Sequence, residues 1–208
     1  MIDTLVQLFD WLGVAVFAAT GALAAARKQM DIVGFALLAT ATGVGGGTLR
    51  DVALGMLPVF WVGQPVYLAI CIGVAVTTFA AAGALQSRLN ALLWLDAMGL
   101  ALFAVTGAKA ALDTGAGGLV AIVMGVVTAT FGGIIRDLLA GDVPVVLSRE
   151  IYVSAALLGA VVLVTGTSIG VPVTGALAVG FLAALLLRAA ALHWGWSLPR
   201  YGDNRQQP

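Results

Sequence analysis

Two Arg-Asp pairs stand out in a chain that is otherwise almost entirely apolar. Arg50-Asp51 and Arg136-Asp137 each close a predicted apolar span, after a pair of glycines and before a further glycine and a proline. A charge at bilayer depth is costly, and it is usually paired or faces a wet cavity. Alternatively, both pairs are helix-end charges that reach interfacial water. Their repetition beside glycines favours the mouth of a pore or a substrate site.

The two pairs belong to an internal repeat. Residues 10–58 align without a gap on residues 96–144, at a constant offset of 86. The identical positions include many glycines, threonines, prolines and the few charges, rather than scattered leucines. Each copy carries three apolar spans, an odd number, so the second copy must lie inverted relative to the first. Inverted repeats of this kind build transport sites about a pseudo-two-fold axis.

An aspartate near the start of each repeat is the predicted partner of the arginine. Asp10 lies about one turn inside the first span, at the level where Arg50 closes the second span. Asp96 and Arg136 occupy the mirror positions at the other face. Because consecutive residues of a helix point in different directions, each arginine need not pair with the aspartate that follows it. We therefore expect Asp10–Arg50 and Asp96–Arg136 to be structural ion pairs.

Lys109 breaks the symmetry of the repeat, because Leu23 stands at the matching position. Its long stem could carry the ammonium group out to the interface. Otherwise the side chain points into the central cavity, where an acidic partner such as Asp51 could hold it. A fixed positive charge inside a narrow path raises the barrier to a passing cation. We therefore predict that Lys109 acts as a gate.

Glycines and threonines complete the candidate site. We expect the glycines to let backbone carbonyls leave the helix and face a path. The threonines either line that path or hydrogen-bond their own helix backbone. The candidates for the pore and its gate are Thr20, Gly46, Gly47, Arg50, Asp51, Thr106, Lys109, Gly132, Gly133, Arg136 and Asp137.

The composition indicates that the lipid bilayer is the solvent of this chain. Of its 208 residues, 61% are hydrophobic and 10% are charged, and the mean hydropathy is +1.06, which is far from the composition of soluble domains. The formal net charge is zero, so nothing indicates a nucleic acid partner. Cys71 is the only cysteine, and no nucleophile–base pair or metal-ligand cluster stands out. We therefore expect neither an enzyme nor a cofactor.

Seven segments are candidates for transmembrane helices. They predict an all-α polytopic membrane protein with an inverted three-plus-three repeat and one extra helix. Helices two and five are expected to be broken at their glycines. The predicted spans are Leu5–Ala26, Ile32–Leu49, Val66–Leu85, Ala91–Leu112, Leu119–Leu139, Ile151–Val164 and Val171–Leu192.

The chain is expected to form a single membrane domain, residues 1–208. The first repeat covers residues 1–86, the inverted repeat 87–169, the seventh helix 170–196, and a polar tail 197–208. Basic residues favour the cytoplasmic side of a membrane. They concentrate in the connections that lie inside when the N-terminus is outside. We therefore expect a multi-pass inner-membrane protein of a bacterium or archaeon, with its C-terminus in the cytoplasm.

Two motifs are repeated, Phe-Ala-Ala-Thr-Gly-Ala at 17–22 and Gly-Gly-Thr-Leu-Arg-Asp at 46–51, with second copies at 103–108 and 132–137. These motifs resemble those of the prokaryotic branch of the trimeric intracellular cation channel family, which also goes under the name of bacterial glycine transporter. The resemblance covers the chain from the first span to the seventh. It implies a homotrimer with a separate pore in each subunit, lined by helices two and five. Monovalent cations, mainly potassium and also sodium, would pass through the pore as permeant ions and would not be cofactors.

Two further interpretations stay open at this point. A secondary transporter of glycine or another small solute would use the same inverted repeat around one occluded site at the midplane. A purely structural membrane protein would carry no flux, and the repeated intramembrane charges argue against it. Only the family resemblance favours the channel over the transporter.

Overall fold

The computed structural model describes residues 2–81 and 88–199, and these residues are almost entirely helical. The one pairing of extended backbone recorded in these ranges is an isolated antiparallel bridge between Glu150 and Ser197. The helices are α1 (Ile2–Arg27), α2 (Ile32–Leu54), α3 (Phe60–Gly63), α4 (Val66–Ala81), α5 (Arg88–Asp113), α6 (Gly118–Leu139), α7 (Val153–Ser168) and α8 (Val173–Trp194), with a 3₁₀ turn at Val145–Leu147. The prediction of an all-α polytopic membrane protein is confirmed.

Each of the seven predicted spans corresponds to one helix of 16 residues or more. Within α1, α2, α5, α6 and α8, stretches of 22 to 25 residues are long and apolar enough to cross a membrane. The helices α4 and α7 have 16 residues each, or about 24 Å, which is shorter than the hydrocarbon core of a typical bilayer. The third predicted span continues to Leu85, and its last residues lie outside the described ranges.

The glycines of the second and fifth spans do not break their helices, and this corrects the prediction. The α-helical backbone continues through Gly46 and Gly47 in α2, and through Gly132 and Gly133 in α6. Glycine weakens a helix without forbidding it, and a small residue lets a neighbouring helix come very close. These four glycines therefore provide space rather than unwound backbone.

The closest approach between the repeats is the crossing of α2 and α6. A Cβ placed on Gly46 would collide with the carbonyl oxygen of Thr128. At the matching position, a Cβ on Gly132 would lie 2.5 Å from the carbonyl oxygen of Thr42. The two contacts are mates at the repeat offset, as expected where a pseudo-two-fold axis passes between the helices.

A second reciprocal contact joins α1 to α5. A Cβ on Gly13 would lie 2.6 Å from the ring of Phe103, and a Cβ on Gly99 would lie 2.5 Å from the ring of Phe17. The two rings pack edge to face, with centroids 5.1 Å apart. Since residue 13 meets 103 while 99 meets 17, α1 and α5 run antiparallel. This geometry supports the proposed inverted repeats.

The extra helix α8 packs against α5 and α7. It ends at Gly195, whose φ of 67° is in the left-handed region that favours glycine. The chain then turns back, and the amide of Leu198 donates to the carbonyl of Arg149 at 2.7 Å. This short tail segment therefore lies beside the connection that precedes α7.

Candidate functional site

The first Arg-Asp pair closes a local hydrogen-bonded ring at the end of α2. Arg50 donates from Nε and from a terminal nitrogen to Asp51 Oδ1, at 2.8 and 2.7 Å. The other carboxylate oxygen accepts the amide of Phe60, the first residue of α3, at 2.8 Å. Gly55, with φ 69°, makes the turn between them. Asp51 therefore holds the return of the chain, because an oxygen acceptor stabilises the free amides at a helix start.

The second pair repeats this arrangement. Arg136 Nε donates to Asp137 Oδ1 at 2.8 Å, and the amide of Val145 donates to Asp137 Oδ2 at 3.1 Å. The sequence did not require each arginine to pair with the aspartate that follows it, but in both motifs the arginine contacts that aspartate. The guanidinium group is long enough to reach the adjacent carboxylate although the two Cα–Cβ bonds diverge. Gly141, with φ 69°, again makes the turn.

Arg136 also contacts the predicted partner Asp96. A terminal nitrogen of Arg136 lies 2.5 Å from Asp96 Oδ1 and donates to Thr20 Oγ1 at 3.1 Å. Both charged side chains are buried, with about 1–2% of their surface exposed. The guanidinium thus joins α1, α5 and α6. We call Asp96, Arg136, Asp137, Tyr152 and Arg188 the second site.

The second site contains buried polar atoms with no hydrogen-bond partner in the described part of the chain. They are Asp96 Oδ2, Arg136 Nη2, Tyr152 Oη and Arg188 Nε. Buried polar groups in proteins are almost always satisfied, often by ordered water. Four such atoms in one cluster, within membrane-spanning helices or next to them, indicate a place built for water or a polar solute.

We call Asp10, Arg50, Asp51, Tyr67 and Lys109 the first site. The Arg50 guanidinium lies 5.7 Å from the centroid of the Phe60 ring, which packs at 4.7 Å on Tyr67, and Tyr67 lines one cavity with Asp10 and Lys109. Asp10 and Arg50 form no ion pair in the described ranges, since Arg50 places two of its nitrogens on Asp51; this corrects the prediction. Asp10 instead lines a cavity of about 260 Å³. The lining residues are Val6, Gln7, Asp10, Gln64, Tyr67, Lys109 and Asp113. This cavity is mostly polar and lies at the end of the protein where α1 begins.

Lys109 belongs to this cavity but contacts a different acid from the one predicted. Its ammonium group lies 2.5 Å from both carboxylate oxygens of Asp113, one turn further along α5. Asp51 was the predicted partner, and it is fully engaged by Arg50 and Phe60. The i, i+4 spacing places Asp113 on the same face of the helix as Lys109. The lysine is mostly buried, whereas the aspartate is exposed.

The threonines divide between the two roles that we considered. Thr42 and Thr128 donate to the carbonyls of Leu38 and Met124 in their own helices, at 2.5 and 2.6 Å. Thr20 donates to its own helix as well, and accepts from Arg136 of the second site. The hydroxyl of Thr106 is buried, with no hydrogen-bond partner among the described residues.

The glycines next to each motif make room for aromatic rings. A Cβ on Gly47 would lie 2.7 Å from the ring of Phe60, and a Cβ on Gly133 would lie 2.8 Å from the hydroxyl of Tyr152. The same Cβ on Gly133 would be 3.6 Å from Arg136 and from Asp96. Gly133 therefore borders the second site directly.

Sequence reasoning missed Tyr67, Tyr152 and Arg188. The two tyrosines are 85 residues apart (152 − 67), one fewer than the repeat offset. The loop after the motif is one residue shorter in the second copy. Asp51 accepts the amide of the ninth residue after it, whereas Asp137 accepts the amide of the eighth. An alignment that allowed one gap would have matched the tyrosines. Arg188 lies in the unrepeated helix, where the repeat gives no signal.

The two sites lie at different depths. Asp10 belongs to the first site, and Thr20, ten residues further along α1, contacts Arg136 of the second site. Ten helical residues span about 15 Å. The Phe17–Phe103 ring pair and the crossing of α2 and α6 lie between the two levels. The two sites are thus separated by a layer of closely packed side chains and helix backbones at the centre of the protein.

Comparison with known proteins decides the family. The family described as "Glycine transporter" matches residues 7–83 and 93–168, whose starts are 86 residues apart (93 − 7). Among solved structures, the TRIC trimeric intracellular cation channel orthologue from Rhodobacter sphaeroides is 60% identical, with a TM-score of 0.91 over 93% of this chain and 100% of that chain. The chain belongs to the TRIC family. The resemblance seen in the repeated motifs is confirmed.

Further relatives are membrane proteins as well. The UPF0126 membrane protein of Vibrio cholerae is 42% identical over 206 residues, which are 96% of this chain and 84% of that protein. The UPF0126 inner membrane protein YadS of Escherichia coli K12 is 40% identical over 202 residues, or 95% and 96% of the two chains. A solved prokaryotic TRIC channel is 30% identical, with a TM-score of 0.87 over 94% of this chain and 99% of that one. The TRIC family consists of membrane channels, not enzymes.

Proposed function

We propose that this protein is a monovalent cation channel, with a path in each subunit that lies between the two repeats and joins the first site to the second. The observation that carries this proposal is the presence of two buried charged sites at different depths, each built from the same motif. Charges inside membrane spans mark ion and solute pathways. The solved relatives are TRIC cation channels, which agrees with this assignment.

The charges of each site favour cations over anions. The carboxylates at the first site are Asp10, Asp51 and Asp113, against Arg50 and Lys109. Those at the second are Asp96, Asp137 and Glu150, against Arg136 and Arg188. Three carboxylates against two cations leave a formal excess of one negative charge at each site. Attraction between opposite charges is stronger in a partly buried site than in bulk water. We infer modest selectivity for monovalent cations, with potassium and sodium as the permeant ions.

The assembly and orientation complete the proposal. We propose a homotrimer in the inner membrane, with one path in each subunit, the N-terminus outside and the C-terminus in the cytoplasm. In that orientation Arg27 and Lys28 lie on the cytoplasmic side, as the distribution of basic residues favours. Lys28 contacts Asp142 at 2.6 Å, which ties the two repeats together on that side.

A flux assay on liposomes separates the channel from the transporter. The purified protein is placed in vesicles that enclose a dye whose fluorescence is quenched by thallium, a potassium mimic. When thallium is added outside, the dye fluorescence should fall rapidly. The same vesicles should show no saturable exchange of labelled glycine above that of empty vesicles. Saturable glycine exchange without thallium entry would contradict the channel and support the transporter.

Lys109 is proposed as a gate at the first site, held by Asp113. Replacing Asp113 with Asn removes the acid that holds the ammonium group, so the positive charge is free to enter the path. We expect Asp113→Asn to lower the thallium flux about threefold, the effect of a unit charge roughly 6 Å from the path at the dielectric constant of water. Lys109→Gln should restore or exceed the parent flux. Equal flux in all three proteins would leave Lys109 as an interface anchor.

A further inference from the structure

The unrepeated helix α8 contributes a buried cation to the second site. Arg188 has about 1% of its side chain exposed. One terminal nitrogen lies 2.5 Å from Glu150 Oε2, and the other donates to the carbonyl of Ile151 at 3.3 Å. Its Nε is buried with no partner in the described ranges. An arginine at this depth in a lipid-facing helix is costly, which indicates that it serves the site it faces.

Tyr152 connects Arg188 to the centre of the second site. The guanidinium carbon of Arg188 lies 5.1 Å from the centroid of the Tyr152 ring, a distance typical of a cation–π contact. The tyrosine hydroxyl is beside Gly133, where Arg136 and Asp96 also approach. Arg188 is therefore one ring away from the Asp96–Arg136 pair.

The Arg188–Glu150 pair has the same design as the Lys109–Asp113 pair at the first site. In both pairs the cation is mostly buried, with 1% of Arg188 and 16% of Lys109 exposed. In both pairs the acid faces outwards, with 40% of Glu150 and 57% of Asp113 exposed. The first repeat has no counterpart of Lys109, because Leu23 stands at the matching position. Arg188 of the extra helix α8 provides the corresponding buried cation at the second site.

Glu150 also borders a cavity of about 210 Å³ at the surface. Arg188, Trp196 and Ser197 are among the other lining residues. The tail after α8 contributes to this lining, and Ser197 forms the backbone bridge to Glu150. The acid of the pair therefore lies where this end of the protein opens.

We propose that Arg188 and Glu150 form a second charge gate, so that the cation path is controlled at both ends by a buried cation held by an outward-facing acid. The proposal rests on the function proposed above. While Glu150 holds Arg188, the two charges offset one another at this mouth. When Glu150 is lost, the uncompensated guanidinium repels cations that enter from this end. The same logic applies to Asp113 and Lys109 at the opposite end.

Single-channel recordings of the purified full-length protein test this symmetry. Asp113→Asn and Glu150→Gln should each make the channel rectify about threefold in about 0.01 M KCl, because each raises the barrier at one mouth only. The double variant should conduct less in both directions but lose the rectification, since both mouths then carry the same barrier. In about 1 M KCl, where charges are screened within roughly 3 Å, the rectification should largely vanish.

Further variants separate a gate from a structural role. Adding Arg188→Gln to Glu150→Gln should abolish the rectification, because no uncompensated cation then remains at this mouth. Arg27→Gln, at an exposed basic residue on the same side as Glu150, should not rectify. If Arg188→Gln variants fail to assemble, Glu150→Gln and the double variant with Asp113→Asn still decide the question.

The outcomes distinguish the two proposals. A parent protein that carries no cation-selective current would contradict the proposed function itself. A parent that conducts, with Glu150→Gln showing parental current at both polarities and both salt concentrations, would overturn the second gate alone. Rectification that persists in about 1 M KCl would also overturn it, because a structural change is not screened by salt.

Discussion

Replacing Asp96 with Asn is expected to lower the stability of the folded subunit by about 3 kcal/mol, the lower end of the cost of breaking a buried ion pair. Asp96 lies 2.5 Å from Arg136, and both side chains are buried. Removing Asp96 leaves Asp137 as the remaining carboxylate on Arg136, and Asp137 contacts Nε rather than the terminal nitrogen that faced Asp96. The buried guanidinium is then only partly compensated, which is costly. The loss should be measurable as a large decrease in the thermal unfolding temperature of the detergent-solubilised protein.

The matched control is the same substitution at the repeat mate. Asp10 forms no ion pair with Arg50 and lines an open polar cavity, so Asp10→Asn should cost much less than Asp96→Asn. The double variant Asp96→Asn/Arg136→Gln should be less destabilised than the two single effects added together. Strict additivity, or equal costs at positions 10 and 96, would contradict this account of the second site.

Replacing Gly46 or Gly132 with Ala is expected to cost about 3 kcal/mol or more and to prevent a stable subunit. The new methyl group would meet the backbone carbonyl of Thr128 or Thr42, and a backbone atom in a packed helix cannot move aside as a flexible side chain can. The two repeats would have to separate at their central crossing. Yield of folded protein from membranes and the thermal unfolding temperature measure this effect.

Gly73 provides the control for this prediction. It lies in α4, and a Cβ at this position would have no atom of residues 2–81 or 88–199 within 4 Å. Because Ala favours helix more than Gly, Gly73→Ala should leave stability unchanged or raise it slightly. Normal yield and stability in Gly46→Ala and Gly132→Ala would show that the crossing is looser than the contacts indicate.

The architecture was predictable because its signals are local and repeated. Apolar spans separated by polar turns identify the membrane helices, and the constant offset of 86 identifies the inverted copies. The helix boundaries differ mainly where the motif continues a helix: α2 ends at Leu54, beyond the predicted Leu49. The short helices before α4 and α7 were missed, since four-residue and three-residue segments carry too little pattern.

The site was less predictable because its contacts depend on how far long side chains extend from one helix to acidic residues on another. The sequence places Arg50 and Arg136 in equivalent positions, and yet only Arg136 contacts the aspartate of the neighbouring helix. A long arginine side chain has several carboxylates within its range, and small differences in helix packing determine which of them is nearest. Glycine in the spans was also open to two interpretations, a break or a close contact. Only the contact with a neighbouring backbone distinguishes them.

The central claim is that each subunit conducts cations between the two charged sites, and unitary current recording tests it most directly. Purified protein would be placed in a planar bilayer between KCl solutions of different concentration. The account predicts discrete current steps with a reversal potential displaced from zero towards the potassium equilibrium potential. Absence of steps in protein that is folded and assembled, or a reversal potential close to that of chloride, would contradict it.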